Sequence, residues 1–257
     1  MHSLTAVVCG VSGLGAGALA NGMIVAGALR QPFTRPGPHC RTCGTSSTYW
    51  RTSALAALAR APRGCPRCAS AVRPKFPVAA FGIGALWAAA GSAWGWAWAL
   101  PAFLVFFFAA VVLAAVDLES YALPRRIVLP TTAACALLLL VAALATGEWS
   151  RATSAVLGFV GARSFFWVVH MAHPRGMGFG DVRLMGLIGL MTGWMSLGNT
   201  VLAVLVGLLL GAVTGLALVV LRLRGFRQAI PFGPFLIAGA ITSMLTGGPL
   251  ATLLLNA

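Results

Sequence analysis

The sequence predicts an all-α, polytopic membrane protein, and three observations carry that expectation. Of 257 residues, 59% are hydrophobic and only 9% charged, whereas soluble domains carry charge on roughly 25%. The mean hydropathy is +0.91. Apolar runs recur at lengths near the roughly 20 residues that a helix needs to cross a bilayer. An ordinary soluble domain is excluded, and topology and chemistry are left to be decided.

The runs resolve into about eight candidate spans. In order they cover Leu4 to Leu29, Pro77 to Gly91, Trp94 to Val116, Ile127 to Thr146, Thr153 to Met171, Val182 to Leu197, Thr200 to Leu221 and Pro231 to Thr246. The second and sixth are short for a hydrocarbon core of roughly 30 Å and are expected to tilt or to be buried in the bundle. One kinked helix from Val78 to Val116 would overshoot the bilayer at about 1.5 Å per residue, so a helical hairpin is expected there. Three parts follow: a first transmembrane helix over 1–29, a basic insert over 30–76, and a seven-helix membrane core over 77–257. Ala18, Leu19 and Ala20 imitate a signal-peptide cleavage site, but the start Met1, His2, Ser3 has no positive region, and an uncleaved first helix is expected.

Eighteen basic residues face four acidic ones, a formal charge of +14. A basic excess first suggests nucleic acid, yet no recognised nucleic-acid motif accompanies it, and none is expected as a partner. The charges instead fall between apolar runs. With the amino terminus outside, all but Arg151 and Arg163 lie at the cytoplasmic side, as the positive-inside rule requires. The protein is therefore expected in the cytoplasmic membrane of a bacterium, its basic loops touching anionic lipid. Arg151 can pair with Glu148 at the outer end of the fifth span. Trp87, Trp94, Trp96 and Trp98 fit an interfacial aromatic belt.

Within the insert, Cys40, Cys43, Cys65 and Cys68 form two C-x2-C pairs with 21 intervening residues. That spacing can present four thiolates tetrahedrally to a structural Zn²⁺. Two disulfides are the alternative, but they need an oxidising compartment. In a cytoplasmic segment zinc or free thiols are favoured, with His39 a bystander. Cys9 and Cys135 lie in apolar spans and are expected to pack there.

The four acids are Asp117, Glu119, Glu148 and Asp181, so the chain has only two aspartates. Asp117 ends the third span, and Asp181 closes the run Gly176, Met177, Gly178, Phe179, Gly180 immediately before the sixth. The alternation of spans assigns both to the cytoplasmic face. An ionisable residue at a span is costly and marks function by default. Two carboxyls sharing a site hold one proton between them, so that one activates water while the other polarises a carbonyl. Gly178 and Gly180 would let a substrate backbone approach Asp181 closely. The plainer alternative is that both aspartates cap helices. Glu119 is expected in a solvated loop. His170 and His173 are expected to hydrogen-bond locally, and Arg163 to snorkel rather than to pair with a carboxylate.

Gly178, Phe179, Gly180 and Asp181 match the G-x-G-D signature of membrane aspartic proteases, and the surrounding chain resembles bacterial type IV prepilin peptidases. Asp117 with Leu123, Pro124 and Pro130 is similar to that family's first aspartate motif. Arg183 and Leu184 follow Asp181 as a basic residue and Leu usually do. Ile230, Pro231, Phe232, Gly233, Pro234 and Phe235 resemble the last-helix motif, the cysteine pairs resemble the cytoplasmic insert, and Asn21, Arg30 and Pro32 resemble the end of the first helix. The resemblance spans essentially the whole chain in order. It implies an endopeptidase with Asp117 and Asp181 catalytic, cutting a basic leader from prepilins or pseudopilins. Many members also N-methylate the new amino terminus with S-adenosylmethionine. Arg125 stands where many relatives have a second aspartate, and Ala80 where they commonly have glutamate; these departures bear on methylation more than on cleavage. Two other readings remain: a transporter using the aspartates as a proton or cation relay, and an inactive scaffold recruiting a partner through the insert.

Overall fold

A computed structural model describes residues 2–28, 76–172, 177–221 and 231–255. Among these the chain is entirely helical: α1 (His2–Ala28), α2 (Phe76–Trp94), α3 (Leu100–Ser120), α4 (Arg125–Thr146), α5 (Trp149–Ala172), α6 (Phe179–Met195), α7 (Leu197–Val220) and α8 (Gly233–Leu255). Helices α3, α4, α5 and α7 are long and apolar enough to cross a membrane. With the shorter apolar helical stretches His2–Gly17, Val78–Trp94 and Gly233–Thr246 of α1, α2 and α8 they make a multi-pass membrane protein. Large apolar side chains such as Leu137, Leu157, Leu209 and Leu216 stand exposed on these helices, as a lipid-facing surface requires and a soluble one avoids.

Several element boundaries differ from the sequence reading: α8 runs to Leu255 rather than Thr246, α5 begins at Trp149 rather than Thr153, and both ends of α3 move. The third helix begins at Leu100 rather than Trp94, because Gly95 adopts φ 57° and ends α2, leaving residues 95–99 as a turn. Trp96 and Trp98 are exposed in that turn, as interfacial aromatics would be. The same helix runs past Asp117 to Ser120, whose Oγ donates to the Val116 carbonyl at 2.9 Å. It stops at Tyr121, where φ is 51°. Glu119 therefore lies on the helix rather than in a loop, though still exposed.

The chain forms two compact units, the first of Met1–Leu100 with Phe107–Ser120 and the second of Pro101–Phe106 with Tyr121–Ala257. In the first, α1 and α2 meet along a seam of small residues. A Cβ on Gly10 would lie 3.2 Å from the Ala88 Cβ, and one on Gly13 3.0 Å from the Gly84 Cα; one on Gly17 would collide with Ala80. Removing side chains lets helix backbones approach, which is how helices associate where lipid competes for every apolar surface. Cys9 is buried on this unit, and Trp94 stacks on Phe107 at 6.4 Å between centroids.

In the second unit α6 is the hub, packing against α4, α5, α7 and α8. Every residue from Asp181 to Trp194 is buried except Arg183. A helix apolar all round belongs inside a bundle, and 17 residues give it a length of about 25 Å. The α5–α6 contact is backbone to backbone: a Cβ on Gly189 would strike the Gly158 carbonyl, and one on Gly193 would lie 2.6 Å from the Ser154 oxygen. Ser196 ends α6 and caps α7, its Oγ accepting from the Asn199 amide at 3.1 Å. Buried polar bonds fasten α7: Thr192 Oγ1 donates to Thr200 Oγ1 at 3.0 Å, Asn199 Nδ2 to the Ser243 carbonyl at 3.0 Å, and Ser243 Oγ to the Asn199 carbonyl at 2.6 Å. Cys135 is fully buried, its Sγ 3.7 Å from the Ala102 carbonyl.

Candidate aspartate site

Asp117 occupies the last turn of α3 in the first unit and is 4% exposed. Its helix presents Leu113, Val116 and Asp117 inward, while Leu118 and Glu119 face out. The one-residue step from Asp117 to Leu118 thus crosses from buried to exposed. A carboxyl on the buried side loses water that it must replace by specific contacts.

Asp181 occupies the first turn of α6 in the second unit and is 8% exposed. Gly178 is the N-cap residue in extended conformation, and its carbonyl accepts from the Asp181 amide at 3.1 Å.

The turn leading into α6 is held by three contacts. His170, in the last turn of α5, has Nδ1 2.8 Å from the Met177 carbonyl, so Nδ1 carries the proton and donates. The same imidazole meets the Phe179 ring edge-on at 5.5 Å. On α6 the Arg183 guanidinium lies 4.6 Å from the centroid of that ring, a cation–π distance. The local hydrogen-bonding role expected for His170 is what the structure shows; His173 lies outside the described residues.

The two glycines of the G-x-G-D run differ. Gly178 is exposed, and a Cβ there would stand 3.4 Å from Asp181 Oδ2. A side chain at residue 178 would therefore stand directly against that carboxyl. Gly180 instead makes room for protein: a Cβ on it would come 2.9 Å from the Leu123 Cβ. Leu123, buried between Asp117 and α4 in the chain, was legible only as part of a Leu-Pro pair, and nothing in its spacing disclosed the contact.

The remaining candidates sort as follows. Arg163 lies 5.9 Å from the centroid of the Phe159 ring and forms no ion pair among the described residues. Arg151 Nη2 is 3.3 Å from Glu148 Oε1, as the sequence suggested, and both are well exposed, so the pair adds little stability. Cys40, Cys43, Cys65, Cys68 and His39 lie outside the described residues. Among the described residues no three His, Cys, Asp or Glu side chains gather as a metal site.

Residues 104–220, which include both aspartates, match the type IV leader peptidase family. A prepilin leader peptidase/N-methyltransferase of Burkholderia pseudomallei is 28% identical over 227 residues, covering 85% of this chain and 70% of that protein. The Pseudomonas aeruginosa protein of the same name is 26% identical over 82% of this chain and 72% of its own length. A third, from Aeromonas hydrophila, is 27% identical over 71% of this chain and 62% of its own. No solved structure gives a significant match.

Proposed function

We propose, from the premise that this chain belongs to the type IV leader peptidase family through residues 104–220, that it removes the basic leader from prepilins or pseudopilins with Asp117 and Asp181 as its two catalytic carboxyls. One observation carries the assignment of residues. In a chain with four acids, the only two aspartates are both buried, each in the terminal turn of a helix, and both fall in the family segment.

In the proposed reaction the ionised carboxyl takes a proton from water, whose oxygen attacks the scissile carbonyl carbon. The protonated carboxyl donates to the carbonyl oxygen and stabilises the tetrahedral intermediate. Collapse breaks the C–N bond, and the leaving amine takes a proton from the pair. The two acids titrate together, so neither role belongs to one residue beforehand. Exposed Gly178 leaves the flank of Asp181 open to an extended peptide, and the substrate's apolar segment would lie in the bilayer against the lipid-facing helices.

The reading extends to topology, with all eight helices as spans, the amino terminus outside and the reaction at the cytoplasmic face of the bacterial inner membrane. The charge distribution supports this orientation. It extends also to the insert, where Cys40, Cys43, Cys65 and Cys68 would hold a structural Zn²⁺, supported by their spacing. N-methylation, named for the relatives, would use S-adenosylmethionine as donor, and no residue of this chain is assigned to it.

Co-expression with a prepilin-like substrate tests the dyad. Asp117→Asn and Asp181→Asn are each expected to abolish leader removal while leaving the protein in the membrane; retained cleavage in either variant refutes the assignment. Metal analysis of the purified protein tests the insert, with stoichiometric zinc expected and its loss in Cys40→Ser.

A further inference from the structure

The shortage of acids leaves positive charge inside the second unit without a counter-ion. Arg125 opens α4, Arg163 lies well within α5, and Arg183 follows the first turn of α6. Packing brings the helices that carry them together, α4 and α5 each against α6. The Phe159 ring beneath the Arg163 guanidinium lies 3.0 Å from the point a Cβ on Gly186 would occupy, one turn beyond Arg183. Leu123, two residues before Arg125, packs on Gly180, three before Arg183. Arg125 and Arg163 both act on Arg183 as nearby like charges.

None of the three is ion-paired among the described residues, and all four acidic side chains of the protein are described. Glu148 is engaged by Arg151 at the opposite end of α5. Arg163 and Arg183 are only partly exposed, so water screens them incompletely. An arginine within a membrane helix persists when it finds an anion or reaches the interface. The surroundings specify which anion. Val160 and Trp167, to either side of Arg163 on α5, are exposed apolar groups that a soluble ion would leave uncovered and an acyl chain would cover. Basic clusters between membrane helices are suited to phosphate headgroups.

We infer that Arg125, Arg163 and Arg183 bind the phosphodiester headgroup of an anionic phospholipid, whose chains lie along the exposed face of α5. The site is independent of the peptidase reading, since it is assayed by lipid retention rather than by cleavage.

The test uses the full chain in a non-ionic detergent, titrated with dioleoylphosphatidylglycerol or dioleoylphosphatidylcholine, with bound lipid counted by native mass spectrometry. Wild type is expected to retain the anionic lipid preferentially. Arg163→Gln and the exposed Arg125→Gln should each lower that preference about fivefold, the equivalent of one basic residue near a headgroup. Arg163→Lys should keep most of it, and Arg151→Gln all of it. Equal retention of the two lipids overturns the inference, as does an unchanged preference in Arg125→Gln together with Arg163→Gln. Displacement of the lipid by excess inorganic phosphate would reassign the site to a free anion, and displacement by an acidic peptide would reassign it to a polypeptide; either also overturns it.

Discussion

Leu123 fills the space that a side chain on residue 180 would need, its Cβ 2.9 Å from where a Cβ on Gly180 would stand. The second glycine of the G-x-G-D run is thus a packing requirement of the α4–α6 contact as well as a feature of the turn. Leu123 in turn is held by Pro124, which sets the extended N-cap of α4 at φ −68°.

Gly180→Ala should accordingly destabilise the protein by about 1–3 kcal/mol, the usual cost of forcing a methyl into a filled site. Pairing it with Leu123→Ala should recover part of that loss. Thermal unfolding in detergent of the two single variants and the double variant measures the coupling; strictly additive effects would mean that the two residues do not compete for the same space.

His170 fastens the turn before Asp181 through Met177 and Phe179, so under the proposed function it is a positioning residue. His170→Ala removes one partly buried hydrogen bond, worth about 1 kcal/mol, and an edge contact with Phe179. The expected result is a fall of about fivefold in kcat with KM little changed. A change confined to KM would argue that the imidazole touches substrate instead.

The α5–α6 seam gives a contrast on the same pair of helices. In Gly189→Ala the new methyl meets the Gly158 carbonyl, a backbone atom that cannot retreat without moving α5, and a loss of about 1–3 kcal/mol is expected. Gly161→Ala meets nothing within 4 Å and should be neutral or stabilising by up to about 1 kcal/mol. Unfolding in mixed detergent micelles ranks the two; equal stability would deny the close approach.

At the other side of the hub, Ser243→Ala deletes the donor to the Asn199 carbonyl. Polar contacts between membrane helices are worth about 0.6–2 kcal/mol, so a modest loss is expected. Chymotrypsin, which can cut at the Leu and Phe residues of these helices, should attack the α7–α8 pair more readily, and resistance equal to wild type would mean that packing alone fastens these helices.

The spans were legible because lipid imposes a length and a polarity that composition reports directly. Their ends were less so. The break at Gly95 depends on a left-handed residue that looks no different in sequence from the helical glycines Gly84 or Gly91, and the run of α3 through Glu119 depends on where Tyr121 turns the chain. The aspartates stood out because acids are scarce, and the pairing of Glu148 with Arg151 because three residues separate them on one helix. The partners of Gly180, Gly189 and Phe179 were hidden: a glycine does not announce which backbone approaches it, and the rings that flank it come from other helices. The basic excess was read as orientation, and the proposed lipid site adds a second significance to Arg125 and Arg183 and a first to Arg163, which that reading left aside.

The enclosure of α6 has a mechanical consequence. A helix buried from Leu184 to Trp194 inside the bundle does not respond directly to the thickness of the bilayer; mismatch is absorbed by the tilt of the lipid-facing helices around it. The depth of Asp181 is then set by neighbouring protein rather than by acyl-chain length, so one height is kept in thin and thick membranes alike.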